Sequence, residues 1–297
     1  MKDITFILLL TLGTFGFSQV QKDTSYTIQS EFKKQIKSFP QIEVVKSLNN
    51  NFLVEKKDIV YQTISNRNLH FDFYSNNSKT ISPAIIMLHG GGWNSGDKSM
   101  LQPLAQQLAL NNYKCFVIEY RLSDEAIYPA AINDVLKALE FIVKNATDYS
   151  IDVNKIVILG CSSGGQMASL IGTKFNSPIK AIVNLDGILA FHHPQSKEGK
   201  LASKWLGGTY EEKPEVWKDA SALSHVSKNT PPFLFINSQY ERFHAGRDDM
   251  ITKMKTFNID TKIEMINDSP HTFWLFHPWF EKTTNYIVTF LDEKLKS

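Results

Sequence analysis

Three stretches of this chain carry side chains whose types and spacing suit acyl transfer. The first is Gly160-Cys161-Ser162-Ser163-Gly164, a G-x-S-x-G pattern that follows the apolar run 155–159 and opens the helix-like stretch QMASLIGTKF. A serine on such a tight strand-to-helix turn stands clear of the sheet edge, where a substrate can reach it. Its hydroxyl is a weak nucleophile until a neighbouring base takes its proton. The second stretch is His89-Gly90-Gly91-Gly92-Trp93, directly after the run 84–88. Consecutive glycines leave backbone N–H groups unhindered. Donors of that kind hold the oxyanion of a tetrahedral intermediate, each typically worth ~3–4 kcal/mol. Here the expected donors are the N–H groups of Gly91, Gly92 and Ser163, while His89 reads as a residue that fixes the loop. The third stretch is Asn267-Asp268-Ser269-Pro270-His271, after the run 262–266. The chain order serine, acid, histidine makes His271 the expected base. His277 is its rival, beside Pro278, and His225 and His244 precede the strand and fit that order poorly.

An acid is needed between serine and histidine to hold the imidazole tautomer. Its expected place is just past the run 232–237, in a stretch reading NSQYERFHAGRDD, where Glu241 is the first candidate and Asp248 the alternative. Asp248 and Asp249 also suit the first turn of the following helix, as caps or dipole partners. Trp93, Arg242, His244, Arg247 and Trp274 are candidates to touch substrate, because they come from loops expected at the C-terminal edge of the sheet, where ligands bind. An arginine there would suit the carboxylate of a uronate. Core packing is the plainer role for Trp274, and solvated loop charge the plainer role for the arginines and His244.

The elements that must position these residues are readable from hydrophobic rhythm. From residue 84 onward short apolar runs recur at 84–88, 115–119, 155–159, 180–185, 232–237 and 262–266. Helix-period stretches lie between most of them, such as Ala131, Val135, Ala138, Leu139 and Ile142. Continuous apolar strands alternating with helices indicate a parallel sheet covered on both faces. Residues 58–75 alternate and split at Asn66-Arg67-Asn68, which predicts a leading hairpin. Residues 188–230 break the rhythm and read as a cap insertion, too short for an independent core. A short amphipathic helix is expected within 19–50, and a closing helix at about 278–295.

Residues 1–18 read as a secretory signal: one lysine, an apolar stretch from Ile4 to Leu12, then small residues at Gly16 and Ser18. That run is short for a membrane span, which needs ~20 residues, and no cysteine stands near the cleavage point for lipid attachment. The organisation expected is thus a signal at 1–18, a lead-in at 19–57 and one domain at 58–297, in a secreted or periplasmic protein without stable membrane insertion. Cys115 and Cys161, set on different strands, read as small buried hydrophobes. The chain has 297 residues, with 32 Lys+Arg against 30 Asp+Glu and a net charge of +2. That balance argues against a nucleic-acid binder, which needs a basic stripe. No cluster with metal-ligand spacing stands out, so neither metal nor other cofactor is expected.

Taken together, HGGGW at 89–93, EYRL at 119–122, YPAAINDV at 128–135 and GCSSGG at 160–165 resemble an α/β-hydrolase, and within it the BD-FAE (bacterial feruloyl esterase) type of carbohydrate esterase. The resemblance covers about 58–295 and implies a mostly parallel eight-stranded sheet flanked by helices. It implies Ser162 as nucleophile, His271 as base, Gly91, Gly92 and Ser163 as oxyanion donors, and a structural role for Asp134. Two departures stand out: Cys161 where that family often has histidine, and NSQYERFHAGRDD in place of its G-x-x-D acid segment. The function expected is an exported serine esterase that removes acetyl, methyl or feruloyl groups from plant or algal polysaccharide. The alternatives are a general carboxylesterase, lipase or serine peptidase of the same fold, or a catalytically silent binding protein.

Overall fold

The computed structural model describes residue 23, residues 25–197 and residues 199–295. The signal expected at 1–18 lies outside the described residues. Eight strands form one sheet: β1 (Leu53–Ile64), β2 (Arg67–Asn76), β3 (Ser82–Leu88), β4 (Lys114–Ile118), β5 (Ile151–Cys161), β6 (Ile179–Leu185), β7 (Phe233–Ser238) and β8 (Thr261–Ile266). Their order is β1-β2-β4-β3-β5-β6-β7-β8. The pairs β1/β2 and β2/β4 are antiparallel, and the remaining five are parallel.

Burial explains why the central runs are continuously apolar. Every residue of β3, β4 and β7 is buried, so both faces of each strand must be hydrophobic. Alternate side chains point to opposite faces. Ile86, Phe116, Ile158 and Ile182 join one core, and Ile85, Met87, Val117 and Leu159 join the other. Helices α3 (Ala130–Lys144), α5 (Ser163–Lys174) and α8 (Arg247–Lys255) cover the first face. The stripe Ala131, Ile132, Val135, Ala138, Leu139 and Ile142 turns α3 toward that core at helical spacing. Helices α2 (Gln102–Leu110) and α9 (Trp279–Leu295) cover the second face. The short α4 (Ala146–Tyr149) leads into β5. Cys115 and Cys161 are free and buried.

Between β6 and β7 the chain forms α6 (Gly199–Leu206) and α7 (Pro214–Asp219). Their Trp205 and Trp217 join the first core, so this insertion is packed onto the domain and has no separate core of its own. The lead-in contains α1 (Ile28–Gln35), started by a capping box between Thr27 and Ser30. Glu43–Val44 then pairs antiparallel with Phe276–His277, which fastens the lead-in beside the segment that follows β8. Among the described residues no helix is long and apolar enough to cross a membrane.

Candidate active site

The parallel strands end on one edge of the sheet, and that edge gathers the chemistry. Ser162 follows β5 directly and caps α5 with φ 55° and ψ −122°, a sparsely populated backbone region tolerated where surrounding structure enforces it. The enforcement is visible at Gly160 and Gly164. A Cβ on Gly160 would lie 2.0 Å from the Gly164 carbonyl oxygen, and one on Gly164 would lie 2.2 Å from that of Leu88. Strand β5, helix α5 and the end of β3 approach so closely that only glycine fits. The Ser162 N–H donates to the Leu185 carbonyl at 2.8 Å, which ties the turn to the end of β6.

His271 stands in the loop after β8. Its Nε2 lies 2.8 Å from Ser162 Oγ and its Nδ1 lies 2.9 Å from Asp186 Oδ2. Asp186 is the first residue beyond β6 and is only 1% exposed. Its other contacts fix it: the Ser238 N–H donates to Oδ1 at 2.9 Å, the Ser238 hydroxyl to Oδ2 at 2.5 Å, and the Asn237 amide to Oδ1 at 3.3 Å. These donors compensate the burial of a carboxylate. Asp186 thus corrects the expectation for the acid. Glu241 is exposed, in the 3-10 turn Glu241–His244. Asp248 is also exposed, in the first turn of α8, where it pairs with Arg247 at 2.8 Å. The carboxylate reaches His271 from the end of β6 rather than from beyond β7, and β7 supplies Asn237 and Ser238 as its donors. His277 pairs instead with Glu281 at 2.7 Å.

The imidazole is held on two sides. Phe243 stacks on His271 with ring centres 3.4 Å apart and planes 11° apart, and Trp274 meets it edge-on at 5.5 Å. The Arg242 guanidinium lies over the other ring system at 4.1 Å from the Phe243 centre. Phe243 was not among the expected site residues. Its only signal is an aromatic side chain two residues past Glu241. On the opposite side, His89 accepts a role in shaping the glycine loop: its Nδ1 lies 2.7 Å from the Gly90 carbonyl, and Tyr120 stacks on it at 4.4 Å while donating to its carbonyl at 2.7 Å.

Two spaces adjoin Ser162. The outer cavity, about 570 Å³, is bordered by Gly91, Gly92, Ser162, His271, Tyr240 and Arg242, and by Tyr26, Glu31 and Lys34 of the lead-in. Glu31 accepts from the Thr272 hydroxyl at 3.3 Å, so the lead-in is a wall of the site. A small recess is bordered by Gly92, Trp93, Ser162, Ser163, Asp186, Ile188 and Phe243. Gly91 and Gly92 thus border the outer cavity with Ser162, and Gly92 and Ser163 border the recess with it.

Of the five expected substrate contacts, Arg242 borders the outer cavity and Trp93 the small recess, while His244, Arg247 and Trp274 border neither. Trp93 is 2% exposed, donates its indole N–H to Gln166 at 2.8 Å and stacks on Trp205; it backs the recess as packing. Trp274 is buried, with its edge on His271. Arg247 donates to the Asn237 side chain at 2.9 Å and so stands behind the donors of Asp186. His244 is buried, and burial with the nearby Arg247 charge holds its pKa below the ordinary value. Arg242 alone of the five reaches the outer cavity with a free face. Burial pushes the Cys161 thiol well up, and the Asp186 charge adds to that, so it stays a neutral thiol beside the serine. Asp134 is 1% exposed and accepts from one guanidinium edge of Arg121, from Nη2 at 2.7 Å and from Nε at 2.9 Å. Among the described residues, no group of three or more His, Cys, Asp or Glu side chains is placed to hold a metal ion.

The strand order, with a serine on the turn after β5 and a histidine after β8, defines an α/β-hydrolase fold. The chain belongs to the BD-FAE family, whose model matches residues 71–257. Among curated relatives, it is 28% identical over 189 residues to the esterase LipC of Mycobacterium tuberculosis, covering 57% of this chain and 45% of that protein. It is 25% identical to the versiconal hemiacetal acetate esterase of Dothistroma septosporum, covering 65% and 67%. The chain spans about half the length of the first of these relatives. Among solved structures, a truncated carbohydrate esterase from gut microbiota superposes with a TM-score of 0.69 at 20% identity, covering 84% of this chain and all of that one. An acetyl ester-xyloside bifunctional hydrolase from Caldicellulosiruptor lactoaceticus gives 0.68 at 18% identity, covering 80% and 96%.

Proposed function

We propose that this chain is an exported serine esterase acting on ester substituents of plant or algal polysaccharides. The observation that carries the reading is the line Ser162 Oγ, His271 Nε2 and Nδ1, Asp186 Oδ2, with hydrogen-bond distances of 2.8 and 2.9 Å. His271 takes the proton of Ser162 as its oxygen attacks the ester carbonyl carbon. Asp186 accepts from Nδ1 and stabilises the imidazolium that forms. The N–H groups of Gly91, Gly92 and Ser163 receive the oxyanion. Collapse breaks the bond to the alcohol, which leaves with the proton from His271. Water then attacks the acyl-serine, His271 again acting as base, and the acid departs with Ser162 regenerated.

Family membership and the esterase names of the relatives support the ester class. The carbohydrate side draws support from the names of two structural neighbours and from the width of the outer cavity, whose polar border of Glu31, Lys34, Tyr240 and Arg242 suits hydroxyl-rich rings. The export part rests on the signal-like residues 1–18. The test is turnover of acetylated xylan, acetylated pectin, methylated pectin and tributyrin by wild type and by Ser162→Ala. Release from a polysaccharide by wild type alone is expected. Tributyrin as the sole substrate would point to a lipophilic carboxylesterase. Arg242→Ala should weaken turnover of an acidic oligosaccharide more than that of a neutral one, and equal losses would remove Arg242 from substrate recognition.

A further inference from the structure

We propose that Arg247 is a positioning residue for the triad, holding the Asn237 amide in the one orientation that braces Asp186 against His271. The proposal rests on the esterase reading above and deepens it. Asp186 is buried, and its Oδ1 accepts from the Ser238 N–H at 2.9 Å and from the Asn237 amide nitrogen at 3.3 Å. Its Oδ2 takes the Ser238 hydroxyl at 2.5 Å and His271 Nδ1 at 2.9 Å. Asn237 is wholly buried near the end of β7, so bulk water does not reach its amide. The Asn237 oxygen accepts from Arg247 Nη1 at 2.9 Å. The line inward from the reacting atom is thus Ser162, His271, Asp186, Asn237, Arg247.

An amide of this shape fits a site in two ways, with its oxygen and nitrogen exchanged. The chemistry at its two ends decides between them. An ionised carboxylate only accepts, and a guanidinium only donates and stays charged. The amide therefore turns its nitrogen to Asp186 and its oxygen to Arg247. Without Arg247 the oxygen would be buried with no donor, which is costly, and an exchanged amide would set oxygen against carboxylate. Either way Asp186 loses its brace on that side. The place of Arg247 in the chain supports the assignment. It opens α8, at the positive end of the helix dipole, where Asp248 and Asp249 fit and a cation does not. Its side chain is nonetheless only 12% exposed, with Nε on Asp248 at 2.8 Å and Nη1 on Asn237. Arg247 borders neither space beside Ser162, so its influence on turnover passes through Asn237 and Asp186 rather than through substrate.

The test measures kcat and KM for nitrophenyl acetate in wild type, Arg247→Met, Arg247→Lys, Asn237→Leu and the Arg247→Met/Asn237→Leu double variant. Ser162→Ala gives the background, and thermal midpoints show which variants fold. Arg247→Met keeps the stem and removes the donor. It should lower kcat about tenfold or more and leave KM within about twofold, since a misplaced catalytic group can cost up to about a hundredfold. The loss should stay below that of Asp186→Asn, because both Ser238 donors remain. Arg247→Lys, which keeps a donor able to reach Asn237, should regain severalfold of that rate. Asn237→Leu should match Arg247→Met within about threefold, and the double variant should be slower than Asn237→Leu by no more than about twofold, as expected of residues that act through one contact. Asp248→Asn, which removes only an exposed ion pair, should keep the wild-type rate. Three results would overturn the proposal: wild-type kcat in Arg247→Met, a lysine variant no faster than the methionine one, or losses that multiply in the double variant. A loss seen in KM alone would place Arg247 at the substrate and overturn it equally. If Asn237→Leu fails to fold, the methionine and lysine pair decides. A wild type no faster than Ser162→Ala would sink the esterase reading and this proposal with it, whereas an active wild type with an equally active Arg247→Met sinks the proposal alone.

Discussion

At the residue scale the account turns on Asp186. The serine and the histidine were legible because each carries a local signature: a glycine-flanked turn after a strand, and a histidine in the loop after the last strand. The acid has no comparable signature. Its neighbours Leu185 and Gly187 look like the end of an ordinary buried strand, and β7 is followed by more conspicuous carboxylates at Glu241, Asp248 and Asp249. The available clue was physical: a carboxylate directly after a largely buried strand is costly unless partnered. Asp186→Asn should lower kcat on the order of a thousandfold or more by upsetting the imidazole tautomer, with Glu241→Gln near wild type in the same assay. The reverse ranking would restore the acid to the loop beyond β7. His244 supplies a pH dependence. Its folded pKa lies below the ordinary 6.5 through burial and Arg247, so the unfolded chain binds the extra proton as pH falls below that value. Its contribution to stability is present above about 6.5 and lost progressively below it. The thermal midpoint should fall on acidification from about pH 7.5 to about 5.5, less steeply in His244→Gln. Parallel curves for the two proteins would show that other groups set the slope.

At the element scale, the alternating strands and helices were readable because burial on both faces of the sheet imposes long apolar runs on β3, β4 and β7. The rhythm did not reveal where the lead-in goes. Helix α1 has the expected weak amphipathic spacing, yet its importance lies in tertiary contacts: Glu31 beneath Thr272, and Glu43–Val44 paired to Phe276–His277. Such long-range pairings leave no periodic trace. The strand-turn-helix unit around Ser162 is the element most exposed to substitution. Gly164→Ala would press a Cβ to 2.2 Å from the Leu88 carbonyl, and overpacking of this kind costs about 1–3 kcal/mol or more. A thermal midpoint lowered by on the order of 5 °C or more is expected, together with loss of esterase turnover. A variant with wild-type stability and rate would show that the turn is looser than its geometry indicates.

At the scale of the whole molecule, one sheet with a core on each face brings together residues distant in the chain. Ser162, Asp186 and His271 come from the ends of β5 and β6 and from the loop after β8, and Glu31 closes the cavity from the lead-in. The near-balanced charge of +2 is distributed in pairs such as Arg121–Asp134 and Lys174–Asp219, and the border of the outer cavity carries both signs, with Glu31, Lys34 and Arg242. The central claim is that this assembly passes an acyl group through Ser162. The most direct measurement is mass spectrometry of the intact full-length chain, and then of its peptides, after brief exposure to nitrophenyl acetate in rapid acid quench. A single acetyl adduct is expected on the peptide containing Ser162, formed in wild type, accumulating in Asp186→Asn if deacylation slows more than acylation, and missing from Ser162→Ala. Turnover of the ester with the adduct on another residue, or equal turnover in Ser162→Ala, would contradict the account.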